Sequence, residues 1–169
     1  MFVASSVVEF AYERAALGAF IQELNSVLVQ KNIYIEKVAC EYLPGDISIT
    51  RKQDDYNRKI YKSDYFFLFV GKRVGEYTLE ELAEAKKSFQ RTGTPQIHSF
   101  FKEGLDIEDS VNVFLSILDE QVNCHTFSTI KDVAIVLLQI LEERFCFSAE
   151  EKLVFDKLFA NMLALGFFR

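Results

Sequence analysis

Six consecutive residues, Tyr65-Phe66-Phe67-Leu68-Phe69-Val70, carry no polar group except one phenolic hydroxyl. Side chains on a strand point alternately to opposite faces, so a run that is apolar at every position has both faces buried. The run is too short for a helix and rich in aromatic residues, which favours a strand. It therefore reads as the central strand of a parallel sheet with helices on both faces. The rest of the chain fits that frame, because short apolar runs alternate with longer stretches of helical period. Strands are expected at residues 2–4, 33–40, 64–70, 96–101 and 122–127.

Between the first two strands, Leu17, Phe20, Ile21, Leu24 and Leu28 recur at spacings of three and four, which predicts a helix over residues 8–31. A short polar helix is expected at 52–62. One at about 79–89 carries Leu79, Leu82, Ala83 and Phe89, and one at 107–120 carries Val111, Phe114, Leu115 and Leu118. Val133, Val136, Leu137, Ile140 and Leu141 mark the inner face of a helix at 129–144. The pattern restarts at Ser148-Ala149-Glu150-Glu151, a capping-box signature, and continues as Val154, Phe155, Leu158, Phe159, Met162 and Leu163. The reading is an α/β, flavodoxin-like three-layer sandwich with a five-stranded parallel sheet at 1–145, and a C-terminal helical extension or linker at 146–169.

Composition narrows the function. Half of the 169 residues are hydrophobic and 26% are charged, a balance suited to a folded core. A net charge of -6 opposes a phosphate-binding surface for nucleic acid. The three cysteines, Cys40, Cys124 and Cys146, are odd in number and widely spaced, so neither a disulfide framework nor a CxxC metal site is expected, and a reducing cytoplasm fits best. No stretch of about 18 apolar residues predicts a membrane span, and the start lacks a basic leader, so the reading is neither secreted nor membrane-bound.

In open parallel sheets ligands bind beyond the carboxyl ends of the strands. The corresponding loops hold Ser5-Ser6, Glu41 to Asp46 and Gly71 to Tyr77. The sharpest feature is Tyr77-Thr78-Leu79-Glu80-Glu81-Leu82. Taken alone it reads as a capping box, with Thr78 as N-cap and Glu81 reaching back to a backbone N–H. Gly71-Lys72 lacks the glycine lead of a P-loop and reads as an ordinary turn. His98 and His125 lie inside apolar strands and read as packed residues rather than metal ligands. Ser5 and Ser6 either cap the first helix or line an anion site, and Glu13-Arg14 reads as a solvated or locally paired couple.

Four segments together resemble the TIR-like (Toll/interleukin-1 receptor) fold, in its divergent prokaryotic defence and signalling branch. They are Phe2-Val3-Ala4-Ser5-Ser6 followed by Glu13-Arg14, then Pro44-Gly45 with Ile47, then Ile60-Tyr61-Lys62-Ser63-Asp64, and finally Tyr77 to Leu82. In the last segment Tyr77 stands where the family carries tryptophan and Thr78 where it carries cysteine. The resemblance implies that Glu81 is the catalytic glutamate, with Glu80 the alternative if the register slips by one. It further implies cleavage of NAD⁺ at the nicotinamide–ribose bond, with NAD⁺ as substrate and neither cofactor nor metal. Ser5, Ser6, Tyr42, Arg73 and Tyr77 would contact substrate, and Pro44 and Gly45 would lie in a self-association loop. Activation by self-association, a regulatory sensor domain C-terminal or in a partner protein, and a role in anti-phage defence belong to the same expectation. The alternatives are a noncatalytic adaptor for homotypic association, or an enzyme resembling nucleoside deoxyribosyltransferases.

Overall fold

The computed structural model describes residues 1–39, 52–116 and 118–167, without the side chains of residues 52 and 53. Within them the chain is α/β, with strands β1 (Phe2–Ala4), β2 (Tyr65–Val70), β3 (Gln96–Lys102) and β4 (Val122–Phe127) side by side in the order β1-β2-β3-β4. The helices are α1 (Ala11–Leu28), α2 (Lys52–Ile60), α3 (Glu76–Thr92), α4 (Asp109–Ser116), α5 (Ile130–Phe145) and α6 (Ala149–Ala164). β1 pairs in parallel with β2 through Phe2 opposite Phe66 and Ala4 opposite Leu68, and β2 pairs in parallel with β3 from Tyr65 opposite Gln96 to Val70 opposite Phe101. The architecture is compatible with a flavodoxin-like sandwich, and β2 is central as its unbroken apolar run requires.

Of the strand expected at 33–40, the described residues 33–39 keep one bridge, in which Val38 pairs in parallel with Phe2. The reason lies in the preceding residues. The Asn25 amide donates to the Ile35 carbonyl at 2.9 Å and accepts the Ile35 N–H at 2.8 Å, so both backbone groups of Ile35 are satisfied by a side chain instead of a neighbouring strand. Counting Val38, the order in space is second, first, third, fourth, fifth segment of the chain. The reversal lies between β1 and β2, the place where such sheets hold their ligands.

The chain forms two compact units, residues 1–11 with 36–126 and residues 12–35 with 127–169. In the first, Phe2, Ala4, Phe66, Leu68, Val70 and Ile97 on one face of the sheet join Leu82 and Ala85 of α3 and Val111 and Phe114 of α4 in one apolar cluster. The other face presents an aromatic row of Phe67, Phe69, His98, Phe100 and His125, onto which Phe10 also packs, with ring centroids of Phe10 and Phe69 5.6 Å apart. At the end of α3, Gly93 takes the left-handed φ of 77° that closes the helix and donates its N–H to the Phe89 carbonyl.

In the second unit, Leu17, Phe20, Leu24 and Leu28 of α1 are buried as their spacing predicts, and so are Val133, Leu137, Ile140 and Leu141 of α5. For Arg14, burial removes one of the two alternatives the sequence left open. The residue is 1% exposed and cannot be a solvated couple, because its position three residues before Leu17 places it on the buried stripe. α6 begins with the expected box, in which Ser148 Oγ accepts the Glu151 N–H at 3.3 Å and the Glu151 carboxylate accepts the Ser148 N–H at 2.8 Å. Phe155 and Met162 of α6 are buried, whereas Val154 and Leu163 are 44% and 40% exposed, so its inner face is narrower than the sequence pattern. Phe159 meets Phe20 edge-on at 6.2 Å, and Lys152 pairs with Glu142 at 2.9 Å, fastening α6 to α1 and α5. No helix among the described residues is long and apolar enough to cross a membrane.

Candidate functional site

At the sheet reversal the chain leaves β1 through Ser5 and Ser6 and leaves β2 through Gly71 and Lys72. Ser6 caps the turn into α1. Its hydroxyl accepts the Glu9 N–H at 3.3 Å and its carbonyl accepts the Phe10 N–H at 3.1 Å, which delays the helix to Ala11 and leaves Val8 91% exposed. Ser6 thus closes the turn ahead of α1 instead of capping the helix itself.

That turn delivers Glu9, a residue the sequence reading passed over, to the end of β2. Glu9 Oε1 accepts the Lys72 N–H at 2.7 Å. The carboxylate lies so close to Gly71 that a Cβ on that residue would stand 2.1 Å from Oε1, which gives the glycine its local reason. The same loop is held from the other side, where the Lys72 carbonyl accepts the Glu108 N–H at 2.8 Å and Ser110 Oγ accepts the Val74 N–H at 3.3 Å. The side chains of Lys72 and Arg73 remain exposed.

The loop runs into α3, whose N-cap is Gly75 with no side-chain cap. Thr78 is then the third residue of the helix, not its cap, and Glu81 lies in its second turn. The capping box expected at Thr78 and Glu81 is thus corrected: the helix starts three residues earlier, because Gly75 in an extended conformation (φ -83°, ψ 161°) ends the loop there. Glu81 instead shares the inner stripe of α3 with Ala85 and Ser88 and is 8% exposed, while Tyr77, one turn earlier, is 69% exposed. Glu80 has a different environment, its Oε1 accepting from Asn57 Nδ2 of α2 at 3.2 Å.

The structure therefore gathers Ser5, Ser6 and the Arg73 loop at one sheet edge, with Glu9 bridging them, and continues that loop into the helix bearing Tyr77 and Glu81. Tyr42, Pro44 and Gly45 lie outside the described residues. One signal could have found Glu9: it sits three residues after Ser6, the spacing at which a serine hydroxyl meets a backbone N–H.

His98 and His125 come together away from this edge. Their Nδ1 and Nε2 atoms are 3.0 Å apart, with the rings stacked at 5.3 Å and His125 stacked on Phe100 at 4.9 Å. Burial first, then the neighbouring His125, pushes the His98 pKa down from 6.5 to about 4, and burial also lowers that of His125. Both are packed as expected. Among the described residues no group of three or more His, Cys, Asp and Glu side chains forms a metal-binding cluster. Cys124 and Cys146 are free thiols.

The fold and the reversal-point site define a flavodoxin-like α/β protein with a carboxylate-bearing edge. No family model, curated protein or solved structure matches the chain in the comparisons made.

Proposed function

We propose that this chain is a TIR-like effector that cleaves NAD⁺ at the nicotinamide–ribose bond, with Glu81 as the catalytic carboxylate. The observation that carries the reading is the position of Glu81: a carboxylate only 8% exposed, on the helix that follows the central strand. A carboxylate on the helix that starts from the carboxyl end of the central strand, where such sheets hold their ligands, is a candidate for chemistry.

In the reaction the C1′–N bond breaks and its electron pair leaves on the nicotinamide nitrogen. Positive charge then grows on the ribose, where a fixed carboxylate stabilises it, and water adds to C1′ and releases a proton to give ADP-ribose. Glu81 supplies the negative charge. Tyr77 and Tyr42 are proposed to stack on the bases, while Ser5, Ser6 and Arg73 contact ribose or phosphate. At 8% exposure Glu81 offers little surface to a ligand in a dispersed chain, so the reading expects turnover from assembled protein, with Pro44 and Gly45 in the association loop and a sensor domain supplying the signal in an anti-phage response.

The test is nicotinamide release from NAD⁺ by artificially clustered protein beside Glu81→Gln and Glu80→Gln, with folding checked by circular dichroism. Loss of at least 100-fold in Glu81→Gln alone is expected; equal rates in Glu81→Gln and the parent would sink the assignment. A noncatalytic adaptor is the second reading, favoured by the exposure of Val8 at 91% and Tyr77 at 69%, and it predicts association without turnover.

A further inference from the structure

Glu9 is held unlike a surface glutamate. Oε1 is fixed by the Lys72 N–H at 2.7 Å, and the carboxylate rests against the Gly71 backbone. The side chain is half-buried, and Oε2 has no hydrogen-bond partner among the described residues. The group stands where β1 and β2 end side by side, at the reversal of strand order.

An ionised carboxylate accepts hydrogen bonds and donates none. With one oxygen fixed and the other open, it complements a ligand hydroxyl and repels a phosphate. The exposed Lys72 and Arg73 side chains lie in the same loop and carry the charge a diphosphate requires. We infer that Glu9 accepts a ribose hydroxyl of a ribosyl nucleotide on Oε2, while the Lys72 N–H on Oε1 fixes the direction of the carboxylate. The inference rests on the ribosyl-nucleotide reading of the same edge, and it gives Glu9 a binding role separate from the bond cleavage assigned to Glu81.

Glu9→Gln separates the two functions of the carboxylate. The amide carbonyl still accepts the Lys72 N–H, so the loop keeps its anchor, but an NH₂ donor replaces the open acceptor. Calorimetric titration of the full chain with ADP-ribose should show binding weakened about 10- to 100-fold in Glu9→Gln, the loss expected for a hydrogen bond to a charged group, at an unchanged melting temperature. Gly71→Ala, which displaces the carboxylate without changing it, should weaken binding similarly. Equal affinity in Glu9→Gln and the parent overturns the role of Glu9, as does an absence of ADP-ribose binding by the parent. Glu9-dependent binding without nicotinamide release supports the ribose contact and overturns the catalytic reading alone. Glu81-dependent release with an unchanged KM in Glu9→Gln does the reverse.

Discussion

Two residues show how a side chain's surroundings set its energetic role. Gly71 leaves room for the Glu9 carboxylate, whose tip is the flexible end of a side chain and can be pushed aside. Gly71→Ala is therefore expected to cost about 1–2 kcal/mol, the worth of the displaced hydrogen bond, and to cost much less in a Glu9→Ala background. A double-mutant cycle in urea measures that coupling. His98 makes stability depend on acid. In the folded chain it stays neutral down to about pH 4, whereas the unfolded chain protonates it near 6.5. The unfolded state then binds more protons in that window, so the contribution is complete above pH 6.5 and is lost as pH falls toward 4. The loss is on the order of 3 kcal/mol. Urea unfolding between pH 7.5 and 4.5 should show the decline, and His98→Gln should flatten it. The sequence placed both histidines in apolar strands but could not show them 3.0 Å apart, because their contact depends on β3 and β4 being neighbours.

Among the elements, the two ends that the sequence marked as capping boxes behave oppositely. The Ser148 box forms with both of its hydrogen bonds, so Ser148→Ala should cost about 1 kcal/mol of stability. The Thr78 box does not form, since Gly75 starts α3, so Thr78→Ala should stay within about 0.5 kcal/mol of the parent. Thermal melts of the two variants side by side check the assignment of both helix starts. The two motifs look alike in sequence because a box is local, whereas the start of α3 is set by where the loop after β2 ends. That loop is fixed by Glu9, Glu108 and Ser110, which come from remote parts of the chain. Of the strand expected at 33–40, residues 33–39 keep one bridge for a related reason: apolar periodicity reports which residues bury well, not whether an amide such as Asn25 will take the backbone groups of Ile35.

For the whole molecule, the proposed dependence on assembly predicts that nicotinamide release per chain rises with protein concentration. A rate per chain that stays constant over a 100-fold range, measured at fixed NAD⁺, would contradict it. Such a rise belongs to this scale because the buried Glu81 and the exposed Val8 and Tyr77 are properties of the folded surface. The sequence by itself determined the α/β class, the central strand and the buried stripes of α1 and α5. Those follow from side-chain periodicity, a property each segment carries within its own few turns. It also marked the Ser5-Ser6 and 71–77 loops as the edge to inspect. Only the tertiary structure decided that Glu9 reaches Lys72, that Glu81 is buried and not a cap, that Arg14 faces inward with the apolar stripe, and that two histidines pair. Glu9 and Lys72 are 63 residues apart in the chain and His98 and His125 are 27 apart. Contacts at such separations form only when strand order brings the segments together, and no local pattern encodes that order.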